Sequence, residues 1–273
     1  MIKIDQKKRF EFGKNWNNFL SILTEDRISD AEKSLNEMLK LVELNNLTFL
    51  DIGSGSGLFS LAAKRLGATV TSFDYDKYSV NCTTELKNRF FSEDDDWKIY
   101  NESALDTSFM NSLGSFDIVY SWGVLHHTGA MWLGIENAIQ RVKPGGLIFL
   151  ALYNDQGLKS HIWWIVKYFY NLLPKPINSI YAYFIGFITN LINILKYTFL
   201  LKPAIAINSI IEKKKNRGMS LKYDLIDWIG GYPFEYVKYH ILVNYFIARG
   251  FELERGRETK SLGCHEFVFK KVN

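Results

Sequence analysis

The sequence is poor in cysteine, and its opposite charges nearly cancel. Among its 273 residues, Cys82 and Cys264 are the two cysteines, and they lie far apart without any Cys-x-x-Cys pair. This excludes a disulfide scaffold and gives no indication of a zinc site. The 33 basic and 29 acidic residues leave a formal net charge of +4, which is too small to indicate a nucleic-acid partner by itself. The first residues contain no apolar run, so we expect no secretory signal and a cytoplasmic location.

Acidic residues are missing from a long internal stretch, residues 156–211. That stretch carries five lysines and eleven aromatic residues, a composition that amphipathic helices use at membrane surfaces. Within it, 177–195 has no charged residue and is long enough to be tested as a membrane span. A polar stripe nevertheless recurs there at helical spacing, formed by Gly186, Thr189, Asn190, Asn193 and Lys196. Three interpretations stay open: a lid or homodimer face buried in protein, a helix on a membrane surface, and a true span.

The rest of the sequence shows a regular alternation of apolar strands and helices. Apolar residues make up 47% and charged residues 23%, which suits a packed core and excludes disorder as the main state. Strands are predicted over 48–52, 69–73, 97–101, 116–120 and 147–153, with helices over 58–66, 78–91 and 131–142 and a short helix near Phe109. Continuous apolar strands are typical of a sheet covered on both faces. The alternation predicts right-handed crossovers and a doubly wound α/β fold.

The flanking segments divide the chain into four parts. Residues 1–46 are predicted to form an N-terminal helical lid, and 47–154 a Rossmann-like core that binds a cofactor. A helical insertion follows over 155–235, and residues 236–273 close the core. The closing elements are a helix over 236–249 and hairpin strands over 251–257 and 266–271.

A glycine-rich turn joins the first strand to the following helix. Its three glycines allow positive φ angles and close backbone contact with a ligand, and the helix start offers N–H groups at a positive dipole end. Asp51 precedes the turn and can hold an ammonium group. Asp74 ends the second strand, 21 residues after Gly53, where a carboxylate can bind both ribose hydroxyls and Tyr75 can cover a purine. A ligand-free turn and a nicotinamide cofactor remain alternatives, although the dinucleotide spacing is G-x-G-x-x-G.

The run Asp51-Ile-Gly-Ser-Gly-Ser-Gly57 resembles the signature of class I S-adenosylmethionine-dependent methyltransferases. The order of elements over 47–153, and the helix and hairpin over 236–271, are similar to the fold of that family. The run at 141–146 is similar to the family's turn before the fifth strand. The resemblance implies a seven-stranded sheet in the order 3-2-1-4-5-7-6, with the last strand antiparallel, and S-adenosylmethionine as the cofactor.

The cofactor-binding residues that the resemblance implies follow the carboxyl ends of the strands. They are Gly53, Ser54, Gly55 and Gly57 around the methionine half, Asp51 near the amino group, Asp74 at the ribose, Ser103, Ala104 and Leu105 at the adenine edge with Asp106 close by, and Ser121 with Trp122 beside the sulfonium.

Two adjacent histidines follow the fourth strand, in the loop 123–129. If the acceptor is a hydroxyl, a general base adds roughly 10²–10⁴-fold to the rate, and many family members that act on small molecules have a histidine facing the transferred methyl group here. His127 matches the more usual position and His126 is its neighbour; the alternative is that they pack or cap the next helix. The loop is only partly similar to that of quinone O-methyltransferases, because it lacks their carboxylates. We therefore expect no metal site.

Candidate acceptor-binding residues come from several parts of the chain. They are Trp16 in the predicted lid, Tyr153 and Asn154 after the fifth strand, Tyr232 in a run rich in turn residues over 224–235, and His265 in the closing hairpin. Each has a structural alternative, such as capping a helix, forming a turn or packing. No Asn/Asp-Pro-Pro-aromatic motif follows the fourth strand, which argues against a nucleic-acid acceptor.

These features predict an enzyme that transfers a methyl group from S-adenosylmethionine to a small-molecule or glycan-precursor acceptor. O-methylation with a histidine base is the favoured reaction. One alternative is a membrane-surface methyltransferase of a lipid or isoprenoid quinone, with peripheral membrane contact through 156–211. Another is a scaffold that binds the cofactor without catalysis. The expected partners are the acceptor and a second copy of the chain in a homodimer.

Overall fold

The computed structural model describes residues 20, 23–93, 95–199 and 221–272. At the centre of the fold lies a seven-stranded sheet in the order β3-β2-β1-β4-β5-β7-β6. Its strands are β1 (Thr48–Ile52), β2 (Thr69–Asp74), β3 (Trp97–Asn101), β4 (Phe116–Trp122), β5 (Val142–Tyr153), β6 (Phe251–Arg257) and β7 (Cys264–Lys271). Neighbours among β1 to β5 are parallel, whereas β7 runs antiparallel to both β5 and β6. The predicted fold class and strand order are confirmed.

Helices pack on both faces of the sheet. The helices in the described ranges, including those of a separate helical unit, are α1 (Glu25–Leu39), α2 (Leu58–Arg65), α3 (Lys77–Phe90), α4 (Thr107–Ser112), α5 (Met131–Ile139), α6 (Leu158–Leu172), α7 (Ile177–Phe199), α8 (Leu221–Gly230) and α9 (Tyr239–Ile247). Side chains of α1, α2 and α3 share one apolar cluster with Phe49 of β1. Those of α4, α5 and α9 share another with Leu50. Successive β1 residues thus enter opposite layers, as the pleat of a strand buried on both faces requires.

β5 begins at Val142, five residues earlier than predicted. The cause is that the chain pairs with β4 soon after α5 ends. The Phe116 amide donates to the Arg141 carbonyl at 2.7 Å, and Val142 lies opposite Phe116 in the sheet. The run 141–146, predicted as a turn, is therefore largely part of the strand.

The helices at the two ends of the described chain are shorter than predicted. The helix expected within 1–46 is α1, which is closed by Lys40 in the left-handed conformation, with φ 56°; residues 1–19 lie outside the described part of the chain. The last helix begins at Tyr239 instead of residue 236. The preceding segment is extended because Val237 forms a β-bridge with Asn154.

The chain forms two compact units. Among the described residues, the sheet unit contains 20, 23–93, 95–161 and 234–272, and the helical unit contains 162–199 and 221–233. In the helical unit, Tyr170, Ala182 and Ile229 form a small buried cluster. By length and composition alone, Ile177–Lys196 qualifies as a candidate membrane span among the described residues. The predicted division into four segments stays a prediction.

Candidate active site

The glycine-rich turn lies at the carboxyl end of β1, beside the end of β2. The amides of Gly53 and Ser54 donate to the Phe73 carbonyl at 2.8 and 3.1 Å. All three predicted glycines of the turn have positive φ angles. At Gly53 a side chain is also sterically excluded, because a Cβ there would lie 2.3 Å from Cγ1 of Val124. The turn therefore packs directly against the loop that follows β4.

Asp74 connects the end of β2 to this turn. Its Oδ2 accepts the N–H of Gly55 at 3.0 Å, and its Oδ1 accepts the N–H of Asp76 at 2.8 Å. Asn101, at the end of β3, donates to the backbone carbonyls of Asp74 and Tyr75 at 2.9 and 3.0 Å. The Tyr75 side chain is exposed. A carboxylate fixed in this way at a strand end can accept hydrogen bonds from the hydroxyls of a ribose.

Asp51 is buried in β1, just before the turn, and belongs to a chain of polar groups inside the sheet unit. The Ser60 hydroxyl donates to Asp51 Oδ2 at 2.5 Å, and the hydroxyls of Ser60 and Ser72 lie 2.7 Å apart. Trp97 Nε1 donates to Ser72 at 2.9 Å. Burial raises the pKa of Asp51 to about 7; the hydrogen bond from Ser60 lowers it and the charge of Asp74 raises it further. A nearby cation would favour the ionised carboxylate.

The residues predicted at the adenine edge form the connection between β3 and α4. The Leu105 amide donates to Ser103 Oγ at 3.2 Å, and the Ala104 carbonyl accepts from Asn137 Nδ2 at 2.9 Å. Asp106 caps α4 by accepting two amides of its first turn at 2.9 and 3.0 Å. Side-chain hydrogen bonds therefore fix this connection at several points along its length.

Ser121 and Trp122 end β4 and have different surroundings. Ser121 is buried, and its hydroxyl donates to the Ile52 carbonyl at 3.2 Å, next to the glycine-rich turn. Trp122 is partly exposed, and its Nε1 donates to Glu266 at 3.0 Å. Glu266 is also paired with Arg257 at 2.9 Å. Ser121 thus lies at the turn, whereas the Trp122 indole is tied to the closing hairpin.

Both histidines are buried in a short 3-10 turn, Leu125–His127, that follows β4. His126 Nδ1 accepts the backbone N–H of Tyr153 at 3.3 Å, and the two rings overlap with centroids 3.9 Å apart. Because Nδ1 is an acceptor, the neutral His126 ring carries its proton on Nε2. The ring of His127 lies edge-on to Tyr153 at 5.4 Å and to His126 at 4.5 Å. The structure thus brings together Tyr153 and both histidines.

Glu235 anchors this histidine turn. Its backbone N–H donates to the His126 carbonyl at 2.9 Å, and its carboxylate accepts the amides of Gly129 and Met131 at 2.9 and 3.1 Å. The N-cap residue of α5, Ala130, makes no side-chain cap, so Glu235 supplies the negative group at this helix end. Burial raises the pKa of Glu235, and the two backbone hydrogen bonds lower it. No spacing in the sequence reveals a cap that comes from about a hundred residues away.

Asn154 and His265 are both engaged with the loop of the closing hairpin. Asn154 Nδ2 donates to the carbonyls of Thr259 and Ser261 at 2.9 and 3.3 Å. His265 Nδ1 accepts the Thr259 amide at 3.1 Å, while its buried Nε2 has no hydrogen-bond partner within the described part of the chain. Burial lowers the pKa of His265. These two side chains order the loop, and their contact with an acceptor stays a prediction.

Of the two remaining acceptor candidates, Tyr232 belongs to the helical unit, and Trp16 has no described position. Tyr232 is buried in the helical unit, with its ring 6.4 Å from Trp164 and 5.9 Å from Tyr168. Much of the predicted turn-rich run 224–235 is helical, because α8 continues to Gly230. Trp16 lies outside the described residues. Across the described ranges no group of three or more His, Cys, Asp or Glu residues could hold a metal ion, and the expectation of no metal stays a prediction.

Comparison with known families identifies the family of the chain. A family model described as a methyltransferase domain matches residues 23–174, more than half of the chain. The chain belongs to this family. The predicted resemblance to S-adenosylmethionine-dependent methyltransferases is therefore confirmed. S-adenosylmethionine is the methyl donor of this methyltransferase class.

The methyltransferase is similar in sequence to two ubiquinone biosynthesis O-methyltransferases. That of Pelagibacter ubique is 29% identical over 136 residues, covering 50% of this chain and 54% of the relative. That of Coxiella burnetii is 31% identical over 147 residues, covering 53% of this chain and 59% of the relative. The chain thus spans little more than half the length of these curated relatives.

Solved structures show the same fold at low sequence identity. Magnesium protoporphyrin IX methyltransferase from Synechocystis, with bound S-adenosylhomocysteine, has a TM-score of 0.53 at 12% identity over 90% of this chain and 83% of its own. The 1,6-didemethyltoxoflavin N1-methyltransferase of Burkholderia thailandensis has a TM-score of 0.52 at 12% identity, over 96% and 86%. This similarity extends to the fold and no further.

The groups around the glycine-rich turn fit S-adenosylmethionine chemically. Gly53, Gly55 and Gly57 have positive φ angles, and the absence of a side chain at these positions of the turn allows close contact with a ligand. Asp74 presents carboxylate oxygens suited to two ribose hydroxyls. Asp51 is a buried carboxyl group with a raised pKa, and the ammonium group of the cofactor would offset the cost of its ionisation.

Proposed function

We propose that this methyltransferase transfers the methyl group of S-adenosylmethionine to a hydroxyl group of a small molecule, with His127 as the general base. The observation that carries the proposal is the buried histidine turn, in which Tyr153 holds His126 and contacts His127. This turn lies near the cofactor turn, since Val124 packs at Gly53. The names of the curated relatives support oxygen as the methylated atom.

The hydrogen bonding of His126 favours His127 as the base. A general base needs a nitrogen lone pair that can receive the proton. In His126 the Nδ1 lone pair already accepts the Tyr153 amide, and Nε2 then carries a hydrogen. His126 would have to break a buried hydrogen bond to change tautomer. We therefore assign the base to His127 and a positioning role to His126.

The residues divide the work of the reaction between binding, orientation and proton transfer. When bound, S-adenosylmethionine supplies an electrophilic methyl group, which needs no further activation by the protein. Asp74 and the glycine-rich turn hold the cofactor, and Asp51 pairs with its ammonium group. His127 removes the proton of the acceptor hydroxyl as oxygen attacks. The half-buried ring of Tyr153 and the buried ring of Phe234, 5.0 Å apart, would limit the access of water to the histidines.

A screen with labelled S-adenosylmethionine would test the proposal on hydroxylated metabolites, sugar nucleotides and quinols. With the acceptor found, we expect His127→Ala to lower kcat by roughly 10²–10⁴-fold and to leave cofactor affinity nearly unchanged. His240→Ala is the matched control, because His240 is exposed on α9. A fully active His127→Ala variant would remove His127 from the mechanism. Cofactor binding without transfer to any acceptor class would favour the scaffold alternative.

A further inference from the structure

The small and polar side of α7 faces into the helical unit. Asn178, Ala182 and Gly186 follow one another at four-residue spacing, and all three are buried. A Cβ at Gly186 would lie 2.8 Å from Cδ2 of Leu225, so α7 and α8 approach closely at this point. Small residues that allow such an approach are typical of helix contacts inside membranes.

Most of the large apolar side chains of α7 face outward, whereas Tyr181 and Ile185 pack against the small buried cluster of the helical unit. The outward-facing side chains recur at helical spacing and are all exposed: Ile180, Tyr183, Phe184, Phe187, Leu191, Ile194 and Leu195. Ile180 and Phe187 each expose 65% of their surface. Only 11% of the most apolar part of the helix is buried. A helix on a water-exposed surface normally has the opposite arrangement, with its apolar stripe inside. The outward face of α7 therefore suits an apolar environment.

The charged residues of the stretch that carries this face are all lysines. Residues 156–211 contain no Asp or Glu, so the exposed side chains of Lys175 and Lys196 in the helical unit have no acidic neighbour along that stretch. α6 also exposes apolar side chains, among them Ile162 and Phe169. A basic segment with exposed apolar and aromatic side chains is complementary to a surface of anionic lipids.

We propose that the helical unit binds the surface of an anionic lipid bilayer through the outward face of α7. The apolar side chains would enter the acyl region, and the lysines would lie at the headgroups. Binding along the surface is favoured over crossing, because Thr189, Asn190 and Asn193 would be costly to place in hydrocarbon. This surface is independent of the acceptor and of the histidine base.

Flotation of the full-length protein with phosphatidylcholine vesicles, with and without phosphatidylglycerol, tests the proposal. We expect binding to the anionic vesicles that weakens as salt is added. The double variant Phe184→Ser and Phe187→Ser should lose about tenfold or more in vesicle affinity, because it removes two large apolar groups from the face. Lys175→Gln with Lys196→Gln should weaken binding to anionic vesicles by about tenfold and reduce the salt dependence.

The control is Ile241→Ser with Ile247→Ser, which changes exposed apolar residues of α9 in the sheet unit and should leave vesicle binding unchanged. Circular dichroism of every variant establishes that it is folded. Absence of binding by the folded wild type would overturn the proposal. So would a wild-type dimer without vesicle affinity that the α7 variant dissociates, since the face would then bind a second copy of the chain.

Discussion

At the scale of single residues, Asp51 makes stability depend on pH. Burial raises the pKa of this carboxyl from 3.8 to about 7 in the folded protein. Between these values the folded state holds a proton that the unfolded state releases. The stabilising contribution of Asp51 is therefore complete below pH 3.8 and is lost as the pH rises through about 7.

We expect Asp51→Asn to remove this decline, which amounts to about 2–4 kcal/mol in the wild type. Urea denaturation at a series of pH values measures the free energy of unfolding of both proteins. Asp30→Asn is the control, because Asp30 is an exposed residue of α1. A wild-type pH profile that persists in Asp51→Asn would show that another group causes it.

The sequence predicts where the site residues stand but not their states. Motif spacing is enough to put Asp51, Asp74 and the histidines at the ends of strands. It does not separate His126 from His127, because the difference comes from the Tyr153 amide, 27 residues further along the chain. The raised pKa of Asp51 is likewise a product of tertiary burial.

At the scale of elements, Glu235 holds the histidine turn and the start of α5 together. Glu235→Ala leaves the amides of Gly129 and Met131 without their acceptor, which should cost about 1–3 kcal/mol of stability. The substitution should also lower kcat more than it changes cofactor affinity, because the hydrogen bonds of Glu235 hold the histidine turn and not the glycine-rich turn. Glu235→Gln keeps an acceptor oxygen and should restore part of both losses.

The matched control for Glu235 is Asp117→Ala. Asp117 accepts the Thr48 amide at 2.9 Å and pairs with Lys143 at 2.7 Å, at the amino ends of the strands and away from the histidines. This variant should lose stability while keeping kcat. Equal losses of kcat in the two variants would mean that Glu235 acts only through stability.

Lys167 of α6, in the helical unit, makes the stability of the protein depend on pH in a second way. Its Nζ donates to the Trp228 carbonyl and lies 4.3 Å from the centre of the Trp228 ring. Burial lowers its pKa from 10.5 to about 7, so the unfolded state binds more protons between these values. Stability should therefore rise with pH across that window.

Thermal denaturation across this window tests the role of Lys167. We expect Lys167→Met to lose the rise in stability, because methionine cannot titrate. Lys159→Met, an exposed change on the same helix, should retain it. A rise that is equal in both variants would assign it to other groups.

Hydrophobic periodicity predicts the strands and helices but not which way each helix faces. The strands were predictable because continuous apolar runs are buried on both sides. The polar stripe of α7 was equally visible, but its direction was not. Gly186 of the stripe meets Leu225 of α8, whereas Asn190, Asn193 and Lys196 are exposed. Which part of a stripe faces a neighbouring helix depends on a second element, and periodicity does not reveal it.

At the scale of the whole molecule, the order of seven strands followed from the alternation of elements and the family resemblance. The ends of strands and helices were less predictable where strand pairing overrides the local conformational preference of the sequence, as at Val142 and Val237. Neither the alternation of elements nor the family resemblance predicts the acceptor, because the residues that bind it do not form a sequence motif.

Binding of S-adenosylmethionine at the glycine-rich turn and Asp74 is the property on which the assigned function depends. Isothermal titration calorimetry of the wild type and Asp74→Ala, with S-adenosylmethionine, S-adenosylhomocysteine and NAD, measures it directly. We expect micromolar binding of the first two ligands, no binding of NAD, and an affinity about 10–100-fold lower in the variant, which loses charge-assisted hydrogen bonds to the ribose. Wild-type binding of NAD alone, or equal affinity of the two proteins for S-adenosylmethionine, would contradict this assignment.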